Sequence, residues 1–151
     1  MELHPELARL LDEGAANLAH TESFGTLTAA QFNWQIEAGR WSIGECLSHL
    51  NVIAAGDITA IRAAIDDAQR CGITGQGPYR YGWLSRWFIR SMEPPVRTRL
   101  KAPKFYLPPP ASDPLETLER YRRNAGELAE LIRASNGLDL AKVKTPLIQP
   151  K

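Results

Sequence analysis

The feature that most constrains this chain is the run from Ser42 to about Gln69, where a helical pattern continues without proline or a polar break. Ser42 and Glu45 form a capping box, each side chain able to take up a backbone N–H at the start of the helix. Trp41 just before them can act as a hydrophobic staple. At helical rotation, Ile43, Leu47, Leu50, Ala54, Ile61, Ile65 and Ala68 share one broad apolar face, with Val52, Arg62 and Asp66 opposite. A helix with one apolar stripe must bury that stripe against other elements. His49 stands at the border of the stripe, where a side chain can lean into a crevice between helices. Asp57 stands within it and needs a partner or water if it is buried.

Two further stretches repeat this logic. From Pro5 to His20, Leu7, Leu10, Leu11, Gly14 and Leu18 fall on one stripe, and Pro5 sits where a first-turn proline is harmless. His20 projects away from that stripe into solvent, and His4 sits at a frayed start. Asp113-Pro114-Leu115-Glu116 is a strong helix start, and Asn136-Gly137 stops that helix after about Ser135. Its inner face is Leu118, Tyr121, Ala125, Leu128, Ala129 and Ile132. On its outer side, Glu116/Arg120 and Glu119/Arg123 are spaced as ion pairs.

The connections are less regular. Thr28 and Gln31 form a second capping box over a short helical turn, followed by Phe32, Trp34 and Ile36 as apolar anchors. The glycine-rich loop from Cys71 to Gly82 lacks the lysine and hydroxyl that a phosphate-cradling loop carries after its last glycine. Trp83 to Met92 reads as a short helix with Trp83, Leu84, Trp87, Phe88 and Met92 apolar. Arg86 and Arg90 beside these aromatics would suit a membrane surface, but short length and flanking prolines favour packing over the bundle. Pro94 to Pro110 holds six of the eleven prolines, with Arg97, Arg99, Lys101 and Lys104 and no acid. It is read as a stiff strap crossing the bundle, held down by Phe105, Tyr106 and Leu107, in preference to a docking peptide. After Leu138 the tail carries Leu140, Val143, Leu147 and Ile148, while Pro146 and Pro150 argue against a full helix. No stretch reads as a strand.

Composition narrows the function classes. A chain of 151 residues, 44% hydrophobic and 23% charged, supports one domain spanning 1–151. Eighteen basic and seventeen acidic residues leave +1, too little field to recruit nucleic acid or anionic lipid. Neither a signal peptide nor an apolar run of membrane-spanning length is present in the sequence, and a cytoplasmic address is expected. Cys46 and Cys71 are 25 residues apart. On one helix that is roughly 37 Å, beyond disulfide reach.

The segment Trp41-Ser42-Ile43-Gly44-Glu45 followed by His49-Leu50 resembles the second-helix signature of the DinB-like proteins. The stretch Leu27 to Phe32, the strap, and Lys144-Thr145-Pro146-Leu147 fit the same likeness, which covers roughly Leu7 to Leu147. The resemblance implies an all-α, up-down four-helix bundle with a crossover strap, in an often bacterial superfamily that includes YfiT-type metal-dependent hydrolases and thiol-dependent S-transferases. It implies a divalent metal (zinc, nickel or iron) held by three histidines: one at the position of His49, two in a His-x-x-x-His pair on a final helix. A small-molecule or thiol substrate would then meet the open positions of the metal.

This sequence departs from that pattern. No histidine follows His49, and the sequence reaches Lys151 where the final helix is expected, so the 1–151 domain reads as C-terminally incomplete: either the chain continues past Lys151, or this is a shortened member whose final helix is missing or supplied from elsewhere. Cys46 (i,i+3) and Glu45 (i,i+4) are local alternative donors to His49, although a buried Cys46 and a capping Glu45 are the simpler readings. Three functional readings follow: a metal-dependent hydrolase or thiol transferase using His49, a metal-free binding or interaction module with its ligand beside His49 and Asp57, and a homodimer in which another subunit fills the seam. If the helical face is oriented as read, Leu50→Ala should cost ~2–5 kcal/mol in thermal or denaturant unfolding, as a core truncation.

Overall fold

The structure, a computed structural model, describes residues 2–80, 82–92, 102–110 and 112–145. Its helices are α1 (Pro5–Glu22), α2 (Ala29–Phe32), α3 (Ile43–Arg70), α4 (Trp83–Met92) and α5 (Pro114–Ala134), with short 3-10 turns at Ser23–Thr26 and Lys104–Tyr106. The all-α expectation holds: among the described residues the one β contact is an isolated antiparallel bridge between Thr74 and Leu138.

Each long helix begins where its sequence says it should. Ser42 Oγ accepts from Glu45 N at 3.1 Å and Glu45 Oε2 accepts from Ser42 N at 2.8 Å, completing the capping box of α3. Thr28 and Gln31 do the same for α2, and Asp113 caps α5 ahead of Pro114. His4 corrects the reading of a frayed start. Its Nδ1 accepts from Glu6 N at 3.3 Å as the N-cap of α1, and its own N–H donates to Asn136 Oδ1 at 3.1 Å.

Helix α5 lies against both α3 and α1. The core sits at one end of this layer, where Ile58, Ile65 and Ala68 of α3 meet Leu131 of α5 and Leu138 just beyond it. The tail after α5 folds back on this cluster: Gly75 N donates to Gly137 O at 3.0 Å, and Leu140 and Val143 pack beside the core. At the other end, Phe32 is fully buried against the first turn of α3, where Gly44 presents bare backbone to its ring. The ion pairs expected along α5 are not made. Glu22 instead pairs with Arg122 and Glu127 with Arg62, both at 3.1 Å, tying α5 to α1 and to α3.

Three apolar expectations are corrected. Trp34 and Ile36 are each 65% exposed, because the loop between α2 and α3 runs over the surface once Phe32 has been buried. Trp83 and Trp87 of α4 are 81% and 64% exposed, so they do not pack over the bundle. Leu50 is 46% exposed, because no described element covers the face it shares with Ile53. Its truncation is therefore expected to cost about 1 kcal/mol or less, not the value of a core deletion. The first part of the strap (93–101), the end of the tail (146–151) and the side chains of Leu84, Phe88, Met92 and Phe105 lie outside the described residues.

Two glycines give opposite predictions for unfolding experiments. A Cβ at Gly44 would stand 2.8 Å from the Phe32 ring, so Gly44→Ala should lower stability by about 1–3 kcal/mol. A Cβ at Gly14 would meet nothing within 4 Å, so Gly14→Ala in α1 should raise stability by about 0.5–1 kcal/mol.

Candidate functional site

His49 projects from the second turn of α3 toward the strap. Its Nδ1 lies 2.6 Å from the Tyr106 carbonyl oxygen, with the Trp41 ring 4.8 Å away and the Tyr106 ring 6.4 Å away, centroid to centroid. A carbonyl can only accept, so Nδ1 carries the proton. In that tautomer the ring's lone pair is on Nε2. His49 is half-buried as expected, but its neighbours are the strap and Trp41 instead of a seam between long helices.

Of the two local donors weighed beside it, Glu45 is otherwise engaged and Cys46 is free. Glu45 is buried and accepts from Ser42 N and, at 2.7 Å, from Gln35 Nε2. Burial pushes its carboxyl up, but the hydrogen bonds from the Ser42 backbone, Gln35 and the Ser42 hydroxyl outweigh it and hold the pKa below 4.5. Cys46 is exposed, correcting the buried reading, and partial desolvation with the adjacent Glu45 charge pushes its thiol above 9.0. It is therefore protonated at neutral pH, which makes it a weak nucleophile. The free state of Cys46 and Cys71 agrees with their separation along α3. His4 stands against Tyr79 and His20 against Phe24. Among the described residues no group of three His, Cys, Asp or Glu side chains is placed to hold a metal. The donor set implied by the family likeness is therefore not assembled by these residues.

A second feature lies on another face of α3. Leu10, Leu18, Leu50, Ile53, Ile61, Leu128 and Ile132 line an apolar groove of about 480 Å³, with α5 contributing one wall and α1 and α3 the others. Asn17, Asp57, Tyr121, Asn124 and Arg133 supply its polar groups. Asp57 is half-buried there, and desolvation raises its carboxyl pKa above 3.8. His49 is not on this groove, so the crevice expected to join His49 and Asp57 resolves into two separate places.

A polar belt holds the two places in register, and it was not foreseen from the sequence. Buried Asn51 donates from Nδ2 to Thr117 O at 3.0 Å and accepts at Oδ1 from Asn124 Nδ2 at 3.0 Å. Asn33 exchanges two hydrogen bonds with the Ser112 backbone, at 2.8 and 2.9 Å, and Ser48 Oγ meets Ser112 Oγ at 2.6 Å. The available signal was Asn51 itself, a poor helix former in a helix interior facing the neighbouring coil.

The sequence model of the DinB superfamily matches residues 10–151, and the chain belongs to that superfamily. No curated protein and no solved structure matches it. No helix among the described residues is long and apolar enough to cross a membrane.

The two carboxylates predict opposite pH effects. Because the Glu45 pKa is lowered on folding, its stabilisation is present above pH 4.5 and is lost as the pH falls through the folded value. Glu45→Gln should flatten this acid limb of a stability–pH curve. Because the Asp57 pKa is raised above 3.8, stability is fully present below that pH and lost as the pH rises through the folded value. At neutral pH, Asp57→Asn should therefore raise the melting temperature.

Proposed function

We propose that this member of the DinB superfamily works through its groove, as a helical-bundle interaction module that receives an apolar partner or ligand bearing a cationic or hydrogen-bonding group. The observation that carries this reading is the 480 Å³ groove across three helices, with Asp57 set in its apolar lining. Apolar concavities with a few convergent polar groups are the usual form of binding sites. An ionised Asp57 disfavours the folded state where it stands, the kind of local penalty that binding surfaces carry and that a cationic group would remove.

A second reading keeps the superfamily chemistry, hydrolysis or thiol transfer at a zinc, nickel or iron ion. It is favoured by the Tyr106 carbonyl, which fixes the His49 ring through Nδ1 and leaves Nε2 free, as outer partners of metal-bound histidines do. On this reading His49 is one donor, and the others come from outside the described residues.

Two measurements separate the readings. On the groove reading, the neutral apolar dye Nile red gains fluorescence with the dilute protein, and Ala125→Trp, which fills the groove, removes most of that gain. Binding unaffected by Ala125→Trp would contradict it. Calorimetric titration with Zn²⁺ or Ni²⁺ should show the same weak binding before and after His49→Ala. A tight site lost in His49→Ala would establish the metal reading instead.

A further inference from the structure

We propose that α4 is a membrane-surface helix, which lays its Trp83–Trp87 face on an anionic lipid bilayer and engages the lipid phosphates through Arg86 and Arg90. The proposal is independent of the groove.

The balance of +1 averages two unlike parts of the chain. Residues 71–112 carry seven basic side chains against one acid, Glu93, a local charge of +6. The rest of the chain carries eleven basic and sixteen acidic side chains, leaving −5. At physiological ionic strength a charge is screened beyond about 8 Å, so an approaching surface meets the segment that faces it and not the sum over the chain. Helix α4 lies inside the basic part and has no acidic residue of its own.

The side chains that α4 leaves in solvent are the second observation. Trp83, Trp87 and Ile89 are 81%, 64% and 47% exposed, and Arg80, Arg86 and Arg90 are exposed as well. With both indoles in solvent, the packing over the bundle that competed with a membrane surface in the sequence is not made. At helical rotation Trp83, Arg86, Trp87 and Arg90 fall within an arc of about 100°. On such an arc indoles settle at the boundary between headgroups and acyl chains, while guanidiniums reach phosphate on stems that run along apolar surface. A face of tryptophan and arginine also suits single-stranded nucleic acid, whose bases stack on indoles. Ile89 favours lipid, because an exposed aliphatic side chain gains from an acyl-chain boundary and nothing from a phosphate backbone. A helix of ten residues is marginal in water by itself, and burying its face at the interface stabilises it.

The test is co-sedimentation of the full chain with vesicles of phosphatidylcholine, alone or mixed with phosphatidylserine, at physiological salt. Binding to the mixed vesicles is expected to be at least about tenfold tighter than to phosphatidylcholine alone, and to weaken as salt is raised. Trp83→Ala/Trp87→Ala should weaken it by about tenfold or more, and Arg86→Gln/Arg90→Gln by a similar factor. Trp34→Ala, which removes an exposed indole outside α4, should leave it unchanged. These variants alter only exposed side chains, so unchanged melting temperatures are expected. No binding to the mixed vesicles overturns the proposal. So does binding that the double tryptophan variant retains in full, or that Trp34→Ala reduces as strongly. Binding to a single-stranded oligonucleotide with none to vesicles would make the face a nucleic-acid surface and overturn it as well.

Discussion

The structure depends on the packing of α5 against both α3 and α1. An amphipathic helix buries one stripe, and α5 uses its stripe on two neighbours at once. Leu131 enters the core with Ile58, Ile65 and Ala68, while Leu128 and Ile132 are left along a groove wall. Closing a helical core ordinarily takes a fourth helix opposite the third. Among the described residues, the groove is the face of α1, α3 and α5 on which no further helix lies.

The anchoring of α3 decides which side chains reach that surface. Phe32 fills the space above Gly44, the Ser42–Glu45 capping box closes the first turn, and Gln35 adds a third hydrogen bond to the Glu45 carboxylate. The motif that marks the superfamily is therefore largely structural in this chain: Gly44 admits the ring, and Glu45 is committed to the cap. Of its residues, His49 is the one left with a chemically open atom, Nε2, once the Tyr106 carbonyl has taken Nδ1. The strap orients this ring through its main chain, at the Tyr106 carbonyl.

Much of the fold was legible because helix ends carry their own chemistry. The capping boxes at Thr28 and Ser42 and the Asp113-Pro114 start placed α2, α3 and α5, and the bounds of α4 were read without error. Periodicity identified the apolar stripes but could not say whether anything covers them. That is why Leu50, which shares a face with buried Leu47, is half-exposed, and why Trp83 and Trp87 face solvent. The site was less legible for a related reason. His49 was singled out, but its partners Tyr106 and Trp41 lie on different connections, and the Asn33–Ser112 and Asn51–Asn124 pairs join residues far apart in sequence. Pattern along one helix cannot reveal contacts that only crossing segments create.

The central claim is that the face of α3 carrying Leu50 opens onto a groove that the described elements do not seal. Thiol labelling tests it most directly. With Cys46→Ser and Cys71→Ser as background, a cysteine is placed by Leu50→Cys or by Leu131→Cys, and the rates of maleimide modification are compared in dilute protein. The account predicts fast labelling at position 50 and strong protection at position 131, where the leucine is 4% exposed. Equal protection at both positions would mean that another part of the same chain covers the groove, contradicting the account.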